Sequence, residues 1–389
     1  MTRRGILALL ALAELLGMSV WFSASALAPQ LREAWSLSAA QAGWLTTAVQ
    51  LGFVAGTASA AVLNLADTIP ARWYFAACAL AAAACNAALL TAGGFAPALL
   101  ARFGTGFFLA GVYPPAMKMI ATWYRDGRGF AIGTIVGALT VGKATPYLVH
   151  GLEHAGIAPV VLTTSAGTVT AALLVFAAYR DGPFAFERRP FSWGLVGTVL
   201  RHRQVRLATG GYLGHMWELY AMWTWIAAFL ASGARLGPRA ADVAGFAAIA
   251  AGGLGCVLGG WAADRIGRER LTIWAMAISG SCAAVIGASA DLRWLVIAVA
   301  LVWGFAVVAD SAQFSALVTE LAPPHAVGTA LTIQTSLGFL LTMASIQLVP
   351  RLVDGIGWRW AFVMLAAGPA LGILAMRRLQ RVRRATIPT

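Results

Sequence analysis

Apolar runs about as long as a bilayer span, each closed by a polar break, recur along the whole chain. They fall near 6–28, 41–63, 73–92, 97–121, 130–149, 158–179, 207–231, 241–262, 271–290, 294–319, 326–349 and 358–376. A hydrocarbon core about 30 Å thick takes about 20 apolar residues as an α-helix, the form that satisfies its own backbone N–H and C=O groups without water. The pattern therefore predicts an all-α polytopic membrane protein with twelve transmembrane helices. The longest polar stretch, 180–206, carries Pro183, Pro190 and six Arg and divides the chain near its middle. The expected organisation is an N-terminal six-helix bundle over 1–180, a cytoplasmic central loop over 181–206 and a C-terminal six-helix bundle over 207–389.

Composition narrows the class further. The chain is 60% hydrophobic and 11% charged, against about 25% charged in a soluble domain. A soluble enzyme, a secreted disulfide scaffold and a single-span receptor are excluded. The net charge of +13 would suggest nucleic acid only if the Arg residues shared one exposed face, and here they sit between apolar runs. With the N-terminus inside, nineteen Arg fall in inner segments, from Arg3 and Arg4 through Arg188 and Arg189 to Arg383 and Arg384, and six fall in outer ones. This asymmetry predicts cytoplasmic termini and a multi-pass protein of the cell inner (plasma) membrane. Cys78, Cys85, Cys256 and Cys282 lie in apolar runs without metal-ligand spacing and read as packing residues. The start imitates a secretory leader, but Glu14 interrupts its apolar run and Pro29 would follow the cleavage site. The first helix is expected to remain.

Sliding the chain on itself by 197 residues superimposes Leu16 on Leu213, Gly17 on Gly214, Gly56 on Gly253 and Asp67 on Asp264. One offset kept across two helices suggests tandem halves of the same orientation. After the eighth run the chain reads Gly260-Trp-Ala-Ala-Asp264-Arg265-Ile-Gly267-Arg268, which resembles the signature loop of the major facilitator superfamily. Gly267 suits a tight turn, Arg265 and Arg268 can meet anionic headgroups, and Asp264 can sit at the positive end of a neighbouring helix. The first copy keeps Asp67 and Arg72 but has lost the glycines. Arg102-Phe-Gly-Thr-Gly106 is similar to the family's Arg-x-x-x-Gly element. Trp123-Tyr124 followed by Arg128-Gly-Phe-Ala-Ile-Gly133 resembles the link between the fourth and fifth spans in its organic-anion and nitrate branches. Where the antiporter motif has Gly-Pro, this chain has Gly142-Lys143. The basic residues that nitrate and oxalate relatives use are absent from the corresponding runs, so neither substrate carries over.

Ionisable side chains at membrane depth cost about 2.5 to 3.5 kcal/mol each and mark function unless they can reach the headgroups. Six occur here: Glu14, Arg102, Lys118, Lys143, Glu218 and Asp310. Five fall on the first, fourth, seventh and tenth runs, which the resemblance implies line a central pathway. Lys118 and Lys143 are the chain's two Lys. Lys118 either faces the pathway or snorkels to the near boundary, and Lys143 either pairs with an acid or meets substrate. Arg102 reads either as a helix clamp or as a substrate contact. His215 and Glu218 are three apart and share a helix face across which a proton could pass, and Asp310 and Gln313 repeat the spacing. Tyr113 and Tyr220 complete the candidate site for substrate or coupling. Asp67, Arg72, Asp264, Arg265, Gly267 and Arg268 form the candidate gating loops.

No His-Glu-x-x-His, Gly-x-Ser-x-Gly or phosphate-loop motif is present, so no enzyme, metal or cofactor is implied. The reading is a monomeric secondary transporter whose two bundles rock about a midplane site, coupled to protons and carrying a small organic anion or zwitterion. The alternatives are a proton-driven exporter of drugs or metabolites and a membrane sensor that transports nothing. Partners are the small-molecule substrate, protons and the lipid bilayer, and no nucleic acid.

Overall fold

The computed structural model describes residues 2–125, 127–153, 156–184 and 191–386, without the side chains of Ala66, Asp67, Glu153 and Thr386. Arg188, Arg189 and the Asp67 carboxylate therefore lie outside the described residues. Among the described residues there are helices and no strand.

The first helical run, α1, starts as Arg3–Gly17, tightens into a 3-10 turn at Met18–Val20 and resumes as Ser23–Ala26 and Ala28–Trp35. It is followed by α2 (Ala39–Val62), α3 (Ala71–Thr91), α4 (Phe95–Ala121), α5 (Arg128–Glu153) and α6 (Ile157–Ala178). The second set is α7 (Arg203–Ala228), α8 (Pro238–Ile266), α9 (Arg268–Val285), α10 (Arg293–Leu321), α11 (Pro324–Ile356) and α12 (Trp358–Ala385). A short helix, Val196–Arg201, lies inside the stretch 181–206 expected as loop, and Val199 buries there.

Nine of these runs are long and apolar enough to cross a membrane among the described residues. The other three depart for identifiable reasons. The first is broken, the seventh interrupts its apolar face with His215, Glu218 and several Trp and Tyr, and the ninth is 18 residues and opens on Arg268-Glu269-Arg270. Exposed Trp residues stand at both ends of the helices, Trp73, Trp261 and Trp274 toward the Arg-rich end and Trp294 and Trp360 toward the other. Large apolar side chains between them, such as Leu100, Leu254 and Leu371, face outward. This is the surface of a body solvated by lipid, with amphipathic rings at headgroup depth.

Small residues set the close crossings. α5 meets α8 with Gly137 against Gly253, where a Cβ on Gly137 would lie 2.7 Å from the Gly253 carbonyl oxygen. Glycine lets the two backbones touch, as in small-xxx-small packing. The contact of α1 on α6, Gly17 beside Ala171, returns as α7 on α12, Gly214 beside Gly368. Ala171 and Gly368 are related by the same offset of 197 seen in the sequence, so the internal repeat extends to helix packing.

Candidate functional site

The site begins with a defect in α1. Between Val20 and Ser23 the helix loosens at Trp21 and Phe22, leaving carbonyls without helical partners. Arg102 on α4 takes them up. Its guanidinium donates to Val20 O and Ser23 Oγ at 3.0 Å each and also to Trp21 O. A further bond at 3.0 Å reaches Asn86 Oδ1 on α3, which also accepts from Ser23 Oγ at 2.6 Å. Arg102 is fully buried, and its two terminal nitrogens are satisfied by backbone and neutral side-chain oxygens, while its Nε has no partner among the described residues. These bonds hold the break in α1 and so orient Trp21 and Phe22.

About two turns before the break stands Glu14. It is opposed by α5, because Gly142 has no Cβ and lets α5 lie directly on the backbone of Leu15. The neighbouring residues, Glu14 and Lys143, are thereby brought within electrostatic reach of each other, without direct ion-pair contact. Both are buried, Glu14 at 0% and Lys143 at 3% exposure. Both Glu14 carboxylate oxygens lack a hydrogen-bond partner among the described residues.

Lys143 turns instead to aromatic rings. Its Nζ lies 4.0 Å from the ring centre of Trp21, 4.9 Å from Tyr220 and 5.5 Å from Trp223, and it donates to Tyr220 Oη at 2.6 Å. Phe22, Phe53 and Phe339 pack around these rings, with Phe53 and Phe339 joining α2 to α11 at 4.7 Å between centres. An ammonium over several aromatic faces is held by their quadrupoles. Tyr220 was expected in the site from sequence. Trp21, Phe53, Trp223 and Phe339 were not, since a Trp or Phe in an apolar run carries no signal that separates a box from a core.

The second half contributes its own pair. His215 Nδ1 on α7 lies 2.9 Å from Asp310 Oδ1 on α10, each side chain 1% exposed. Asp310 occupies the break in α10 between Arg293–Ala309 and Ser311–Leu321, as Tyr113 follows the break in α4 between Phe95–Leu109 and Tyr113–Ala121. Discontinuous helices in corresponding places of two repeats are where binding sites form.

The expected exchange between His215 and Glu218 is corrected. Glu218 points away, accepting from Ser279 Oγ and Trp303 Nε1 at 2.7 Å each. Three residues along a helix differ by about 60° in direction, enough to send His215 to Asp310 and Glu218 into the packing of α7, α9 and α10. Gln313 likewise serves another partner than Asp310, accepting from Arg268 Nη1 at 2.6 Å. Lys118 is half-buried in the last turn of α4, on the side of the Arg-rich end.

Around the signature loop, Arg268 also pairs with Glu320 at 2.7 Å. Gly267 has φ +88 and joins α8 to α9. Arg265 stacks over Trp261 at 3.6 Å. The Asp264 carboxylate lies beside Gly129, where an added Cβ would meet its Oδ2 at 3.1 Å. Gly129 is the second residue of α5, so the acid sits at that helix's positive end. Arg72 is half-buried in the first turn of α3.

Two groups escaped the sequence reading. Gln50 on α2 is fully buried with neither amide atom partnered among the described residues, and its place one turn from Phe53 in an apolar run was the available signal. His150 on α5 contacts Asp242 on α8 at 2.7 Å and also Gln30 on α1, a tie between the two halves at the end away from the Arg cluster. That pairing spans 92 residues of sequence and has no local signature.

A family model described as Major Facilitator Superfamily matches residues 9–346 and, overlapping, 235–389. No curated protein matches the sequence. The fold is similar to that of a bacterial homolog of the human lysosomal transporter Spinster in its inward-facing, unoccupied conformation. The TM-score is 0.76 at 16% identity, over 97% of this chain and 98% of the other. The occupied, inward-facing form of a bacterial Spinster homolog gives a TM-score of 0.72 at 16% identity, over 98% and 97%.

Proposed function

Because the chain belongs to the major facilitator superfamily, and so is a multi-pass membrane transporter and not an enzyme, we propose that it carries a small organic anion or zwitterion by proton-coupled alternating access. It does so as a monomer in the cell inner membrane, with both termini in the cytoplasm. The bundles that rock are residues 1–180 and 207–389, joined through 181–206. The inward-facing forms of the structurally similar Spinster homologs support the conformational part of this reading.

The observation that carries the proposal is the set of buried ionisable groups on the broken helices α1 and α10 and on the helices α5 and α7 packed against them. Glu14 and Lys143 stand on one side, and His215 and Asp310 on the other. Four such groups at membrane depth, each costing about 2.5 to 3.5 kcal/mol to bury if charged, would be removed from a merely structural core. Together they place charge of both signs beside the path of a zwitterion and offer a second acid, beside an imidazole, to a proton. Glu218 has its oxygens occupied and is assigned to packing.

The test is counterflow in proteoliposomes with a panel of carboxylates and amino acids, followed by an imposed pH gradient. Exchange of at least one solute, and its accumulation when the side of entry is acidified, are expected. Absence of counterflow for every solute would sink the transport assignment to this class, and accumulation driven by the opposite gradient would favour proton-driven export. The aromatic lining of Trp21, Trp223 and Phe339 gives that second reading its support, since an apolar wall suits hydrophobic cations.

A further inference from the structure

Lys143 is surrounded in a way that an anion-binding lysine is not. A cation offered to an anion should have its N–H groups directed at open polar space, yet this one faces three rings, one of which, Tyr220, also accepts its hydrogen bond. Around it sit polar atoms without partners. Both oxygens of Glu14 and the indole Nε1 of Trp21 and of Trp223 have none among the described residues. Other tryptophans nearby do not share this state, for Trp217 and Trp225 donate to the Met364 and Ile346 carbonyls at 3.2 and 2.9 Å. Leaving a buried donor or acceptor unpaired costs about 1 to 3 kcal/mol. Orphan donors and acceptors clustered on one box define what would complete it: a positive centre on the rings in place of Lys143, whose own ammonium is then free for Glu14, and an acceptor for the indole N–H groups.

We propose that Trp21, Tyr220 and Trp223 form a subsite for the organic ammonium group of the substrate, and that the Lys143 ammonium occupies it as a tethered competitor. On entry the substrate's ammonium takes the ring faces and displaces Lys143, whose own ammonium then pairs with the carboxylate of Glu14. The box is built from both halves, Trp21 and Lys143 from α1 and α5, Tyr220 and Trp223 from α7. Exchange of its occupant therefore changes a contact between the two bundles. The proposal rests on the transport reading above and deepens it, naming an ammonium-bearing zwitterion as the substrate class.

A tethered competitor lowers apparent affinity by the fraction of time it holds the site. Removing it has the opposite sign to removing a substrate contact. The probe is choline, titrated against the purified full chain in nanodiscs by calorimetry, with 3,3-dimethylbutan-1-ol as its uncharged isostere. The wild type is expected to bind choline and not the isostere, and Lys143→Ala to bind choline tighter by about tenfold or more. Adding Trp223→Leu to Lys143→Ala should abolish the gain. Choline affinity unchanged or weakened in Lys143→Ala, or equal binding of the isostere, overturns the proposal.

Should Lys143→Ala fail to fold, Glu14→Gln decides. It removes the charge that receives the displaced ammonium, so choline should bind about tenfold more weakly, and unchanged affinity refutes the displacement. Binding on purified protein is independent of flux. Proton-driven transport without choline binding defeats the subsite alone, and choline binding without any counterflow defeats the transport reading alone.

Discussion

Gly142 lies so close to Leu15 that a Cβ on it would stand 2.9 Å from the Leu15 Cα and closer still to the carbonyl. This contact, between α5 and α1, determines that the next residue on one helix and the previous residue on the other are a lysine and a glutamate sharing a buried interface. Gly142→Ala should push the helices apart, lowering stability by about 1 to 3 kcal/mol through overpacking. It should also separate Glu14 from Lys143. Thermal melts of the purified variant, paired with solute-binding titrations, check both; an unshifted melt would show that the crossing can relax.

Asp310 is predicted to be needed for proton coupling, because it touches His215 at the break in α10 and both groups are sealed. Asp310→Asn should lose accumulation in a pH gradient while retaining solute exchange, since the uncharged amide can neither load nor release a proton. Concentrative uptake by Asp310→Asn at the wild-type level would remove it from the coupling path and leave Glu14 as the candidate.

Glu218 makes a contrasting case. Its carboxylate accepts from Ser279 and Trp303, so Glu218→Gln keeps one acceptor and sets an amide N–H₂ against a donor. The expected cost is about 1 to 3 kcal/mol of stability, with proton-driven accumulation per folded molecule unchanged. Flux normalised to folded protein is the measurement, and loss of coupling in a fully stable Glu218→Gln protein would restore this residue to the site.

Arg102→Lys should disrupt the break in α1 although the charge is kept. A lysine cannot present a planar fork to Val20 O, Trp21 O, Ser23 Oγ and Asn86 Oδ1 together, and each buried acceptor left unpaired costs about 1 to 3 kcal/mol. A large fall in melting temperature is expected, with weakened solute binding in whatever folds, since Trp21 follows from the clamp. Wild-type stability in Arg102→Lys would mean that α1 holds its break by other contacts.

The sequence by itself determined the all-α membrane architecture, the family and the places where ionisable groups sit at membrane depth. These are properties of single positions and of short spacings: apolar runs measured against bilayer thickness, the Gly260 to Arg268 loop, a carboxyl at 14 and at 310. Partnership was decided by the tertiary structure. His215 and Glu218 looked paired from a spacing of three, and the rotation between them together with the approach of α9 and α10 sent them to different neighbours. Lys143 read as either the partner of an acid or a contact for substrate, and the box that holds it joins Trp21 to Tyr220 and Trp223, rings about two hundred positions apart in the sequence. Each such ring reads locally as one more apolar residue. Whether a ring forms a core or faces a cation depends on where helix crossings such as Gly142 on Leu15 place the backbones, and that is a property of packed helices that no single run contains.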